Sequence, residues 1–253
     1  AEVAPEWNKV KGLLGSPNDA REFVEKAMSR FGVSLDKKRS VYLAHVHALE
    51  SSLKEKLGQR GLEGSIKLVI AEPAPSGTSL LTRTHPLTAC LAESLVEASL
   101  DQELMPDLGV GRVGAWPSTA VSVMTRVVLL RIRYKLKVHS RKEQLLLAEE
   151  AALVALQGDK VFAINDAARE ILNTEATADL ASIASDRLVD TAKQELPKLL
   201  AGPIATFVNE RTEELVGDHA RLRAAAGAAS RVSVEAVLPP DVIGMFVIMP
   251  GGF

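Results

Sequence analysis

Residues 125–156 read TRVVLLRIRYKLKVHSRKEQLLLAEEAALVAL, two long strand-like runs around a charged turn. In an extended strand side chains alternate between faces, so Val128, Leu130, Ile132, Tyr134, Leu136 and Val138 form one apolar face. The other face opens with Val127 and Leu129 and continues as Arg131, Arg133, Lys135 and Lys137. A strand of this pattern passes from burial on both sides to burial on one. Ser140-Arg141-Lys142-Glu143 has the polarity of a hairpin turn, although it lacks the Gly or Asn-Gly that such turns favour. Beyond it, residues 144–156 either return antiparallel or begin as strand and become helical at the Ala-rich 148–155, and periodicity alone does not separate the two.

The composition is that of an ordinary globular chain: 253 residues, 47% hydrophobic and 25% charged. Thirty basic against 32 acidic residues give a net charge of −2, so no global field attracts nucleic acid and any such contact must come from a local patch. A single Cys excludes a disulfide framework within the chain and a Cys-rich zinc site, and it agrees with a reducing cytoplasm. Charges interrupt every apolar stretch well short of the roughly 20 residues that a membrane helix needs, so no membrane is expected as a partner. Ala1-Glu2-Val3-Ala4-Pro5 shows no signal-peptide pattern. A start without Met fits a domain cut from a longer protein, or ordinary Met removal before Ala.

In the first part of the chain, a short helix is expected at residues 7–14, and Asn18 or Asp19 can cap a helix whose Phe23, Ala27 and Phe31 recur at four-residue spacing before Gly32. Residues 39–46 and 65–71 alternate as strands, with Leu49, Leu53 and Leu57 on one helical face between them, a βαβ-like order with a crossover helix. Pro86 suits the first turn of a helix carrying Leu87, Leu91 and Leu95, and Cys90 beside that stripe reads as a buried structural thiol. Residues 101–124 read as loop. After the hairpin, Asn165 or Asp166 can cap a short helix to Asn173. A second helix spans 179–195, with Pro197 and Pro203 as punctuation. A long amphipathic helix follows from Ile204, turning Phe207, Val208 and Leu215 inward and Glu210, Glu213, Glu214, Asp218, Arg221 and Arg223 outward, with a break near Gly227. Two apolar runs, 232–238 and 242–249, flank Pro239-Pro240-Asp241, and the second reads as an interior strand covered on both faces.

The sites that can be tested by spacing are few. Gly109-Val110-Gly111-Arg112-Val113-Gly114 matches G-x-G-x-x-G, but no strand delivers it and Trp116-Pro117 follows where a helix N-terminus must aim its N–H groups at a pyrophosphate. His45 and His47 fall on one strand face and can share a metal, yet no third ligand cluster is evident, and a hydrogen-bonded or exposed pair is the simpler reading. No nucleophile elbow and no P-loop are present, so no catalytic residue, metal or cofactor is assigned. The basic row Arg131, Arg133, Lys135 and Lys137 is the candidate contact surface: its charges stand about 7 Å apart, comparable to phosphates along a strand. The alternative is a structural face in which Glu149 or Glu150 on the returning strand pairs with Arg131 or Arg133.

Four segments, in order, resemble the region that follows the second motor lobe in bacterial Swi/Snf-type, HepA/RapA-like superfamily 2 helicases. They are Arg83-Thr84-His85-Pro86-Leu87, residues 125–136 with Arg131-Ile132-Arg133-Tyr134, Leu147-Ala148-Glu149-Glu150-Ala151, and Leu238-Pro239-Pro240-Asp241-Val242-Ile243-Gly244. The resemblance implies a C-terminal accessory region of a cytoplasmic nucleic-acid-dependent ATPase. Its partners would be the motor lobes of the parent chain, and DNA or RNA, or a protein such as RNA polymerase or a defence complex. Neither motor lobe is in this sequence, so no ATP or magnesium residue is carried over. The expected fold is α+β, a mainly antiparallel sheet built around a long hairpin and packed against a layer of amphipathic helices. Residues 1–108 would form an N-terminal αβ part and 109–253 the hairpin, helical layer and terminal strands, together one compact unit.

Overall fold

A computed structural model describes residues 16–101, 105, 108–139, 144–225 and 231–251. The expected helix at 7–14, the turn at 140–143 and the break at Gly227 lie outside the described residues. The fold is α+β, with its strands in a four-stranded and a five-stranded sheet among the described residues. The chain divides into two compact units, one ending at Gly111 and one beginning at Arg112. The division lies three residues beyond the expected 108/109 boundary, and each sheet closes its own core and shares no strand with the other. No described helix is long and apolar enough to cross a membrane.

The first unit opens with helix α1 (Pro17–Arg30). Its cap is Ser16, two and three residues before the candidates Asn18 and Asp19: the Ser16 hydroxyl accepts from Asp19 N at 3.2 Å while the Asp19 carboxylate accepts from Ser16 N. The helix buries Ala20, Val24, Ala27 and Met28, so the stripe is rotated from the expected Phe23 and Phe31, which border the core half-covered. Strands β1 (Leu35–Lys38), β2 (Val41–His45), β3 (Ser65–Val69) and β4 (Ser79–Leu80) lie in that order. The expected βαβ crossover is not formed: β2 and β3 are antiparallel, and helix α2 (Ser51–Gly58) sits in the connection between them. Leu49, Leu53 and Leu57 are buried as read, each contributing about 1.5–3 kcal/mol of hydrophobic stabilisation. Helix α3 (Pro86–Leu100) starts at Pro86 with His85 as its cap, Nδ1 accepting from Leu87 N at 3.2 Å.

The second unit is the five-stranded sheet β5-β9-β6-β7-β8. Its spine is β6 (Thr125–His139), flanked antiparallel by β7 (Gln144–Gln157) and β9 (Arg231–Pro250). The Ala-rich 148–155 stays extended, because pairing with β6 puts Ala152, Val154 and Leu156 at interior positions two residues apart. Tertiary burial at period two overrides helix propensity there. The predicted apolar face of β6 packs on helices α5 (Ser182–Ala201) and α6 (Pro203–Ala225) through Leu199, Ile204, Phe207 and Val208. Val127 on the opposite face meets a smaller core closed by Ala168 of helix α4 (Asn165–Leu172) and Ile248. The helix at 182–201 runs through Pro197, which costs one backbone bond, and stops at Gly202.

Three further differences have local causes. Residues 113–118, read as loop, form β5 (Val113–Ser118), an edge strand parallel to β9, where Pro117 is tolerated because edge N–H groups need no partner. The two terminal runs are one strand, and the pairing slips at Leu129/Leu130 and Arg131/Arg133, bulging out Ile243 and the Leu238-Pro239-Pro240 segment. Arg112 satisfies the first bulge by donating to the carbonyls of Ile243 and Val242, the latter at 3.0 Å. Asn165 does not cap α4; with φ at 47° its side-chain oxygen accepts from Leu153 N of β7 instead.

Candidate docking surface on the long hairpin

Strand β8 (Lys160–Ile164) pairs with β7 only over residues 154–157. Along Gln144 to Ala152 the outer edge of β7 therefore carries no neighbouring strand among the described residues, and its backbone groups face outward. The helices also stop short: Tyr134 is the last fully buried side chain on the inner face of β6, with Leu136 and Val138 half-buried beyond it. The distal ends of β6, β7 and β9 consequently form an arm with a solvated outer face and two edges without a strand neighbour among the described residues, that of β7 and that of β9, which β5 pairs only over residues 245–250. Leu145, Leu146 and Leu147 of β7 are 61%, 51% and 78% exposed, and large apolar side chains rarely gather in water without a partner.

All four basic residues of the row lie on the outer face and are exposed, but they are not equivalent. Arg131 binds Asp241 through Nε at 2.9 Å and Nη2 at 2.8 Å, and Arg133 reaches the other oxygen of the same carboxylate at 3.1 Å. The bulge at 238–240 is what swings Asp241 opposite Arg131. Glu149 and Glu150 were the expected partners. Glu149 stands opposite Arg133 and acts on Arg131 only through its charge, while Glu150 alternates onto the inner face. Lys135 and Lys137 have no carboxylate within salt-bridge distance among the described residues; opposite them on β7 stand Leu147 and Leu145, and on β9 Glu235 and Ser233. The outer face thus combines two available ammonium groups with two exposed leucines, and the charge of its arginines is largely answered.

On the inner face Glu150 anchors the arm. Arg211 of α6 approaches both its oxygens, at 3.0 and 3.2 Å, and also holds Glu214 at 2.9 Å, while the Tyr134 hydroxyl donates to Glu150 at 3.1 Å. Burial, reinforced by the Glu150 carboxylate, pushes the Tyr134 phenol above its usual range. Sequence reasoning missed Arg211 and Asp241, since neither strand periodicity nor helix patterning says which charge faces inward. The leucine triplet was the available signal for the edge, three apolar residues in a row where a half-solvated strand needs only alternate ones.

The other candidate sites resolve plainly. Gly109, with φ at 56°, and Gly111 lead into β5, where Gly114 lies opposite Phe246 of β9, so no helix N-terminus faces the glycines. Cys90 is fully buried and burial pushes its thiol up, as suits a structural thiol. His45 and His47 stand with ring centroids 5.5 Å apart. Among the described residues no three His, Cys, Asp or Glu side chains gather as a metal-binding group. A groove of about 690 Å³ runs between β8 and the start of α6, lined by Phe162, Ile164, Pro203 and Phe207 with Lys160 and Glu210.

In comparisons with known proteins, one family model, described as a domain of unknown function (DUF8741), matches residues 101–253, which contain the whole second unit. No curated protein matches the chain.

Proposed function

The chain belongs to the DUF8741 family, and from the geometry of the matched region we propose that it is a non-catalytic docking module. A protein partner adds an extended segment along the free edge of β7, setting apolar side chains on Leu145 and Leu147 and acidic ones on Lys135 and Lys137. The observation that carries this reading is the coincidence, on one arm, of an unpaired strand edge with leucines more than half exposed. Backbone pairing supplies affinity in such strand addition and the alternating side chains supply specificity. The resemblance to helicase accessory regions supports a setting in the cytoplasm, beside the motor lobes of a nucleic-acid-dependent ATPase.

A second reading, nucleic-acid contact through the same row, is favoured by the two lysines that lack a carboxylate partner. Fluorescence anisotropy with a single-stranded and a duplex oligonucleotide distinguishes them. Docking of a protein segment predicts weak binding at physiological salt that Lys135→Glu/Lys137→Glu does not change. Tight binding whose salt slope falls by about 2 in that variant, one for each lost phosphate contact, establishes the second reading and overturns the first.

A further inference from the structure

The first unit holds a cluster that the docking reading does not use. The Nδ1 atoms of His45, at the end of β2, and His47, in the 3-10 turn Val46–Ala48, converge on one oxygen: Ser65 Oγ lies 3.1 Å from the first and 3.4 Å from the second. The Gly64 carbonyl oxygen accepts the His47 backbone N–H at 3.0 Å and lies 3.2 Å from His47 Nδ1, which donates to it. Four donors around a tetrahedral ion, each about 2.1 Å from it, stand about 3.4 Å from one another. Three of the six edges are given by the hydrogen bonds here, at 3.1, 3.2 and 3.4 Å, so an ion can replace their protons with little movement of the heavy atoms.

The outer contacts point the same way. An imidazole that ligates a metal through one nitrogen almost always donates from the other to a carboxylate or carbonyl, which fixes its tautomer and ring plane. His45 Nε2 lies 3.1 Å from Asp36 Oδ2, and Asp36 is in turn held by the Ser34 hydroxyl at 2.9 Å. A carboxylate oxygen beside Nε2 favours the tautomer that carries its proton there, which leaves Nδ1 of His45 facing the Ser65 hydroxyl. The rings meet edge to face at 84° and do not stack. His47 and Ser65 are exposed, and a groove of about 540 Å³ is lined by His47 and Gly64.

We propose that His45 and His47 bind one divalent transition-metal ion of the zinc class through their Nδ1 atoms, with Ser65 Oγ as a weaker oxygen donor and the His47 ring moving its proton from Nδ1 to Nε2 as the ion displaces the contact with Gly64. Two imidazoles with oxygen ligands suit Zn²⁺ and its neighbours in the first row better than Mg²⁺ or Ca²⁺. The ion ties the end of β2 to the start of β3 and closes the connection that carries α2. With two strong ligands the site is exchangeable.

The test is calorimetric titration of Zn²⁺ into the full chain, free of any histidine tag and stripped with chelator. One ion per chain is expected, bound at least roughly tenfold more weakly by His47→Asn, and Asp36→Asn is expected to lower affinity by about 10–100-fold without changing stoichiometry. His219→Ala serves as the control and leaves affinity unchanged. His47 is exposed, so His47→Asn keeps its fold, and unchanged affinity in that variant overturns the proposal. So does the absence of a saturable site, or a site that survives in His45→Ala/His47→Ala.

Discussion

Replacing Arg211 tests how the arm is held. The guanidinium and the Glu150 carboxylate are 15% and 20% exposed, and Glu150 also accepts from the Tyr134 hydroxyl. Removing one member of a fully buried ion pair costs about 3–5 kcal/mol, because the other charge stays desolvated. Water reaches part of this pair, so Arg211→Ala is expected to cost about 2–3 kcal/mol. The contact with Glu214 adds little, since that carboxylate is 66% exposed. Glu150→Leu/Arg211→Met removes both charges at similar volume and leaves mainly the unpaired Tyr134 hydroxyl, a cost of about 1–3 kcal/mol. Adding Tyr134→Phe is expected to recover most of that. The assay is equilibrium urea unfolding in a Trp7→Phe background, so that Trp116, whose ring lies 6.0 Å from that of Phe246 in the same sheet, reports on the second unit. An Arg211→Ala cost below about 0.5 kcal/mol, or a coupling energy near zero between positions 150 and 211, refutes this account of the anchor.

Tyr134 gives a pH-dependent counterpart. Its raised folded-state pKa means that the folded chain keeps the phenolic proton to higher pH than the unfolded chain does. The linked stability is whole below the ordinary phenol range near pH 10 and is lost as pH rises through it and above. In a Tyr42→Phe variant, phenolate absorbance should appear only together with unfolding, and a normal titration near pH 10 in folded protein contradicts the burial argument. Gly244→Ala places a Cβ 3.0 Å from the Arg112 carbonyl oxygen and 3.5 Å from the Phe246 ring. Overpacking of that kind costs about 1–3 kcal/mol, read by the same urea assay. Ser16→Ala removes the cap of α1 and should cost about 1 kcal/mol, detected as faster amide exchange in the first turn; Asn18→Ala should leave it unchanged, since Ser16 and not Asn18 caps the helix.

The hairpin was legible because a period of two over fifteen residues leaves one reading, and the buried 128–134 face follows it residue for residue. The Leu49, Leu53 and Leu57 stripe was legible for the matching reason at helical period. What failed was information carried by non-local partners. Whether residues 148–155 are strand or helix depends on what lies beside them, and β6 decides it. Pro117 argues against a strand unless the strand is at an edge, which sequence does not state. The basic row was found, yet its division into two arginines held by Asp241 and two available lysines arises from a bulge around Pro239-Pro240 that shifts one carboxylate by a pairing step. The histidine pair was visible as a spacing, but Ser65 and Asp36 join it only across the sheet.

The docking surface is tested most directly by placing a photocrosslinking amino acid at position 147 in cells of the source organism, with position 193 on α5 as the reference. The account predicts a discrete adduct at 147 that protease removes and nuclease does not, that is missing at 193, and that is lost with Lys135→Glu/Lys137→Glu. An adduct removed by nuclease, or the same adducts from both positions, contradicts it.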